Sequence, residues 1–205
     1  LSRELARELP NEHGYLEVLK NLTSFELFEL GERYLYQTQV YRHTDRALFI
    51  DKMPNNCLHV GFIHLILPNA KVIDVRRSPM ACGFANFKQH FAVGQNYTYD
   101  LGHIGHYYRQ YTRLMDHMDQ CLPGSTFHLQ YEHLLKDPLS VITALLEYCE
   151  LDFYEPCLRF YDNDRAVRTA SAHQVRRPLD KSRQDQWQHF EQWLTPLVKA
   201  LKETN

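Results

Sequence analysis

Two arginines follow a predicted strand at a place where protein sheets commonly bind anions. Residues 71–75 form a short apolar run flanked by charge, which is typical of a buried strand, and Arg76 and Arg77 come directly after it. Ser78 and Pro79 then carry the signals of a helix N terminus, a capping side chain and a proline at the first helical position. Open parallel sheets bind ligands outside the carboxyl ends of their strands, and helix N termini favour negative charge. The pattern therefore predicts that Arg77 binds an anion such as phosphate.

A cation-rich segment and a single lysine could reach the same crevice. Residues 163–183 are polar and lack a regular period, so we interpret them as a long ordered loop that is either an anion site or simply solvated. Its six cations are Arg165, Arg168, Arg176, Arg177, Lys181 and Arg183. Lys52 lies two residues after the apolar run 47–50, a further predicted strand, so its ammonium could lie beside Arg77. If only its position is considered, the role of a surface lysine at a turn explains Lys52 at least as well.

Other common chemistries find no support in the sequence. The twelve histidines include no HxxxH or HExxH pair, and His103 and His106 have no nearby carboxylate in phase with them, so we expect no metal. There is no GxSxG nucleophile motif, no GxxxxGK[ST] phosphate loop and no GxGxxG turn. The formal net charge of −2 argues against a nucleic-acid partner. No apolar run approaches the roughly 20 residues that span a bilayer, so we expect no membrane partner.

Strand-like and helix-like segments alternate along the chain, which predicts an α/β fold with a short parallel sheet between helices. The predicted strands are residues 47–50, 71–75 and 126–131. The predicted helices are residues 1–9, 24–41, 57–67, a segment from residue 79, 100–121, 138–149 and 184–202, the last kinked at Pro196. A length of 205 residues with 44% hydrophobic residues predicts one globular domain over residues 1–205. The five cysteines form no CxxC pair, which predicts reduced core thiols and a cytoplasmic protein.

Four segments together resemble the sulfotransferase superfamily, whose members use 3′-phosphoadenosine-5′-phosphosulfate (PAPS) as the sulfuryl donor. In chain order they are DKMP at 51–54, LPNAKVIDVRRSP at 67–79, QYEHL at 130–134, and RTASAHQVRRP at 168–178 followed by Trp187. Each segment is short, but all four occur in the family's order. The bacterial tetratricopeptide-associated and tyrosylprotein sulfotransferases are the most similar in pattern. The resemblance implies a three-layer α/β/α fold related to the P-loop NTPases.

The resemblance also assigns roles to residues. It implies that Arg77 holds the donor's 3′-phosphate, that Tyr131 contacts the nucleotide, and that residues 171–180 wrap the adenosine. The implied donor-binding residues are Arg77, Tyr131, Ser171, Gln174, Val175, Arg176, Arg177 and Pro178. Lys52 and Ser171 match a catalytic pair that stabilises the transition state in the tyrosylprotein relatives. Sulfuryl transfer, like phosphoryl transfer, gathers charge on peripheral and leaving oxygens, so a lysine charge and a hydroxyl donor suit this role. The implied acceptor is a hydroxyl group of a small molecule or a protein, and no metal is required.

The sequence departs from the family pattern in several places. It contains no Pro-x-Ser-Gly-Thr-Thr loop for the 5′-phosphosulfate and no acidic general base after such a loop, so we expect the chain to begin downstream of both and to lack the family's first strand. Ala85 stands where the family has a serine eight residues after the arginine. Gln186 stands where the family has a basic residue before the closing tryptophan.

These departures lead to three expectations and one alternative. We expect the isolated chain to be inactive or nearly so, to bind the nucleotide weakly, and to form dimers or larger homo-oligomers through an unpaired sheet edge. The alternative is a non-catalytic module that keeps the fold and binds nucleotides or other polyanions. Ala85 and Gln186 favour that alternative, because Ala85 cannot donate the hydroxyl hydrogen bond of its family counterpart and Gln186 cannot supply a charge.

Overall fold

The computed structural model describes residues 14–42, 44, 46–91, 94–164, 167 and 174–203, with the backbone alone at 14–16, 174 and 183. The predicted helix over residues 1–9 lies outside this range. The chain divides into two compact units, Leu1–Ala70 and Lys71–Asn205, which are described separately. The expectation that all 205 residues form one domain stays a prediction.

Short helices build the first unit. They are α1 (Gly14–Leu19), α2 (Ser24–Thr38) and α3 (Val60–Ile66), with 3₁₀ turns at Gln39–Tyr41 and Pro54–His59. Thr23 caps α2: its hydroxyl accepts a hydrogen bond from the Glu26 N–H, and the Glu26 carboxylate accepts one from the Thr23 N–H. This reciprocal pair is a capping box, which fixes the start of α2.

Residues 47–50 do not form a strand, and that prediction is wrong. The run is irregular, and the Ile50 side chain is 93% exposed. A strand requires a neighbour that pairs with its backbone N–H and C=O groups. Among the described residues, the one ladder present joins two strands of the second unit.

The second unit contains a short parallel sheet between helices, which confirms the predicted α/β fold. Strands β1 (Val72–Arg76) and β2 (Thr126–Gln130) pair in register from Val72 with Thr126 to Arg76 with Gln130. The helices of this unit are α4 (Pro79–Lys88), α5 (Leu101–Cys121), α6 (Tyr131–Lys136), α7 (Pro138–Tyr148) and α8 (Thr195–Lys202).

Helices pack on both faces of this sheet, although they leave part of β1 exposed. On one face, the Tyr111 hydroxyl of α5 donates a hydrogen bond to the carboxylate of Asp74 in β1. On the other face, the ring of Tyr148 at the end of α7 packs against Phe127 of β2, with 5.4 Å between ring centroids. Neighbouring residues of a strand point to opposite faces, so the pairing of Asp74 with His128 puts Phe127 on the face away from α5.

The C-terminal segment breaks where the sequence predicted one kinked helix over 184–202. A 3₁₀ turn occupies Gln186–Trp193, Leu194 follows it, and α8 begins at Thr195 with Pro196 in its first turn. Proline has no N–H to donate, so the first turn of a new helix accommodates it better than a helix interior does. The side chain of Leu197 on α8 is fully buried.

All five cysteines are free. Four of them are partly buried, whereas Cys121 at the end of α5 is exposed, so the prediction of a core position is wrong for Cys121. None of the helices in the described ranges is long and apolar enough to cross a membrane.

Candidate anion-binding site

Arg77 and Tyr131 meet at the carboxyl edge of the sheet. Arg77 follows the last residue of β1, and Tyr131 follows the last residue of β2. Parallel strands in register end at the same edge, so the side chains that follow them come close together. The Arg77 guanidinium carbon lies 5.3 Å from the centre of the Tyr131 ring, within the range of a cation–π interaction. The structure therefore brings together two of the residues predicted to bind the donor.

The backbone of Arg77 is held from the side of α5. The Tyr108 hydroxyl donates a hydrogen bond of 2.9 Å to the Arg77 carbonyl oxygen. Burial raises the pKa of Tyr108 to about 12, so its hydroxyl remains protonated and available as a donor at neutral pH. This bond fixes the point at which the chain leaves β1 and turns into α4.

A carboxylate from the neighbouring turn holds the next residue. The Ser78 backbone N–H donates to Glu132 Oε1 over 2.8 Å, and the Gln130 side-chain amide donates to Glu132 Oε2 over 2.5 Å. Burial works to raise the pKa of Glu132, but these hydrogen bonds and the charge of Arg77 outweigh it and hold the pKa below its ordinary value. The Ser78 side chain makes no capping bond, contrary to prediction, and Glu132 supplies the negative charge beside the first turn of α4.

Arg77 keeps a donor for a ligand. Its Nε is buried and has no hydrogen-bond partner among the described residues. A buried N–H without a partner costs free energy, and an anion bound to it removes that cost. This orphaned donor, beside an aromatic face and at the edge of a parallel sheet, is suited to an oxyanion such as a phosphate.

Arg76 serves a different, structural purpose. Its Nε donates to Asp74 Oδ2 over 2.6 Å, and its guanidinium lies 5.5 Å from the centre of the Tyr111 ring. His128 in β2 joins the same network, with Nδ1 3.0 Å from Asp74 and Nε2 2.9 Å from Asp119 of α5. Arg76 therefore ties β1 into a polar layer under α5, and only its neighbour Arg77 reaches Tyr131 in the described contacts.

Lys52 lies in the first unit, and its side chain is exposed. The segment before it is attached to α2: the Tyr34 hydroxyl donates to Asp51 over 2.7 Å, and the Arg42 guanidinium lies 4.8 Å from the centre of the Phe49 ring. Burial and the hydrogen bond to Asp51 both raise the pKa of Tyr34. The residue before Lys52, Asp51, is therefore bonded to α2. That Lys52 lies close to Arg77 stays a prediction.

The predicted nucleotide loop is described only in part. Ser171 lies outside the described residues, and Gln174 is described by its backbone alone. Val175 is half-buried on a 3₁₀ turn (Gln174–Arg176), while Arg176, Arg177 and Pro178 are exposed. Whether this loop closes over Arg77 stays a prediction.

Gln186, one of the departures from the family pattern, lies beside a cation. Lys88 at the end of α4 donates to Gln186 Oε1 over 3.1 Å, and its ammonium lies 4.5 Å from the centre of the Phe84 ring. Ala85 is half-buried on the same helix. A positive charge thus lies next to the position where the family places a basic residue.

The fold and the site define an α/β protein that holds an arginine with an unused buried donor at the carboxyl edge of a parallel sheet. The sequence profile of the sulfotransferase family matches residues 3–156, and the chain belongs to this family. An uncharacterized protein of Aquifex aeolicus is 35% identical over an alignment of 188 residues, and the match covers 86% of this chain and 25% of that protein. The chain therefore spans about a quarter of the length of this curated relative.

The sequence pointed to Arg77 and Tyr131 but missed Tyr108 and Glu132, which hold the peptide unit between Arg77 and Ser78. Glu132 follows Tyr131 directly after the end of β2, so its position at the carboxyl edge was a usable signal. Tyr108 gave no such signal, because it is one of several aromatic residues along α5 and its contact with Arg77 depends on how that helix packs.

Proposed function

We propose that this chain carries the 3′-nucleotide-binding part of a sulfotransferase that uses PAPS as donor and a hydroxyl group as acceptor. The observation that carries the proposal is the Arg77 guanidinium over the Tyr131 ring, with its buried Nε left without a hydrogen-bond partner among the described residues. In this assignment Arg77 binds the donor's 3′-phosphate, and Tyr131 contacts the nucleotide. Lys52 and Ser171 stabilise charge on the transferring group, and residues 174–178 close over the adenosine.

Binding of adenosine 3′,5′-bisphosphate tests the donor assignment. We expect calorimetric titration at low salt to show weak binding, because the 205 residues contain no 5′-phosphosulfate loop. Arg77→Ala should cost about 1.5–3 kcal/mol, or about ten- to 150-fold in Kd, because a hydrogen bond to a charged group is lost. Arg113→Ala, at an exposed arginine of α5, is the matched control and should leave Kd unchanged. Equal binding of inorganic sulfate would reduce the site to a general anion patch.

The competing function is a non-catalytic module that binds nucleotides or polyanions, favoured by Ala85 and Gln186. The contact between Lys88 and Gln186 weakens the argument from Gln186, because a phosphate needs cations nearby more than it needs one particular cation. The test fuses a family N-terminal segment to the chain and assays sulfate transfer to simple phenols and alcohols. We expect turnover by the fusion and none with Lys52→Ala. Activity that appears only with both Ala85→Ser and Gln186→Lys would favour the binding module.

A further inference from the structure

We propose that Glu132 is a positioning residue, which holds the turn after β1 so that the Arg77 guanidinium remains over Tyr131 and free to bind an anion. The inference rests on the proposed function only in its choice of ligand. It starts from the carboxylate of Glu132, which accepts a hydrogen bond from each of two turns, the Ser78 N–H after β1 and the Gln130 amide at the end of β2.

Arg77 lies between two tethers that belong to different elements. The Tyr108 hydroxyl binds its carbonyl oxygen, and Glu132 binds the N–H of the residue that follows it. These bonds act on the two ends of one peptide unit, the C=O of Arg77 and the N–H of Ser78. A peptide unit is planar, so holding both of its ends fixes its orientation and limits where the Arg77 side chain can begin.

Glu132 leaves the donors of Arg77 available. Both carboxylate oxygens are already occupied by other donors, and the Arg77 Nε has no hydrogen-bond partner among the described residues. The arginine charge nevertheless acts on Glu132, since it contributes to the lowered pKa of that carboxyl. Glu132 therefore attracts the Arg77 guanidinium and leaves its buried donor for a ligand.

A positioning role and a purely electrostatic role predict opposite changes in anion affinity when Glu132 is removed. Removing a negative charge near an anion site tightens binding if the charge acts only through its field. If Glu132 positions Arg77, its removal weakens binding instead. We expect Glu132→Ala to raise the Kd for adenosine 3′,5′-bisphosphate about tenfold, which corresponds to about 1.4 kcal/mol. Glu132→Gln should keep most of the affinity, because its amide oxygen still accepts the Ser78 N–H.

A second measurement needs no nucleotide. The rate at which phenylglyoxal modifies Arg77, followed by peptide mass spectrometry, reports whether the guanidinium is held in place. We expect faster modification in Glu132→Ala than in the wild type, and an intermediate rate in Tyr108→Phe, which removes the other tether without changing charge. Glu147→Ala, at an exposed carboxylate of α7, controls for net charge and should change neither rate nor affinity.

The outcomes separate the two proposals. Unchanged or tighter bisphosphate binding in Glu132→Ala, with an unchanged rate of Arg77 modification, would overturn the positioning role. If the wild type fails to bind the bisphosphate, the proposed function fails, and the phenylglyoxal rates still decide the role of Glu132. If Glu132→Ala does not fold, Tyr108→Phe supplies the comparison instead, and a wild-type modification rate in Tyr108→Phe would contradict the two-tether arrangement.

Discussion

At the scale of single residues, the adjacent Arg76 and Arg77 have different roles, because Arg76 is the last residue of β1 and Arg77 lies just beyond it. Arg76 points from β1 to the face covered by α5, where Asp74 accepts its Nε and the Tyr111 hydroxyl, and where His128 also meets that carboxylate. Asp74 is nearly buried, with 9% of its side chain exposed, so its three partners depend on it. Arg77 has no comparable carboxylate in the described contacts and keeps a buried donor unused.

This difference predicts separate effects on stability and on binding. Asp74→Ala should lower the free energy of unfolding by about 2–4 kcal/mol, because a partly buried arginine loses its ion pair and a buried hydroxyl its acceptor. Urea denaturation measures the loss, and Asp116→Ala on the exposed side of α5 is the matched control. A loss under about 0.5 kcal/mol, the size of an ordinary surface effect, would show that the network contributes little.

At the scale of elements, α8 packs against α4 and α5 through small residues. A Cβ added at Gly105 of α5 would lie 2.7 Å from the Cβ of Ala200 and 3.2 Å from the carbonyl oxygen of Leu197. A Cβ added at Gly83 of α4 would lie 2.7 Å from the Leu197 side chain. The two glycines therefore allow a close approach that any larger residue would block.

We expect Gly105→Ala to destabilise the protein by about 1–3 kcal/mol, although alanine is the better helix former by about 1 kcal/mol. The steric overlap of the added Cβ with α8 outweighs the gain in helix propensity, because the Leu197 carbonyl oxygen belongs to the backbone and cannot rotate away as a side chain can. Thermal unfolding measures the change. The double variant Gly105→Ala with Ala200→Gly removes the nearest contact and should regain part of the loss. A Gly105→Ala variant that is more stable than the wild type would mean that α8 does not approach α5 this closely.

At the scale of the whole molecule, β1 presents apolar side chains to solvent. Ile73 is 40% exposed and Val75 is 60% exposed, and both point to the face of the sheet away from α5. In the described part of the chain, β1 also pairs with β2 alone, so its other edge has unpaired backbone groups. Exposed edges and apolar faces of this kind associate with other chains, and a second copy supplies the same edge.

We therefore expect the isolated chain to form dimers or larger oligomers, as light scattering over a range of concentrations can measure. Val75→Lys should shift the population toward monomers, since a charged residue on an edge strand opposes pairing. Leu139→Lys, at an equally exposed position on α7, is the matched control and should leave the population unchanged. A monomer at high concentration in the wild type would contradict this expectation.

The sequence by itself determined the elements whose signals are local. The apolar runs of β1 and β2 and the proline at the start of α4 predicted those elements to within one or two residues. The resemblance implied that Arg77 and Tyr131 serve one site, and the two residues meet because parallel strands in register end at one edge. These features depend on residues close together in the chain or on a rule of strand geometry.

The tertiary structure alone decided which hydrogen-bond donor pairs with which hydrogen-bond acceptor. The apolar run 47–50 looks like a strand but lacks a described neighbour, and strand pairing is a property of two segments rather than one. Ser78 looks like its own helix cap, yet Glu132, 54 residues further along the chain, binds its N–H. The contact of Tyr108 with Arg77 likewise depends on how α5 packs beside the sheet. Such pairings arise from the packing of distant elements, which no local pattern of residue types encodes.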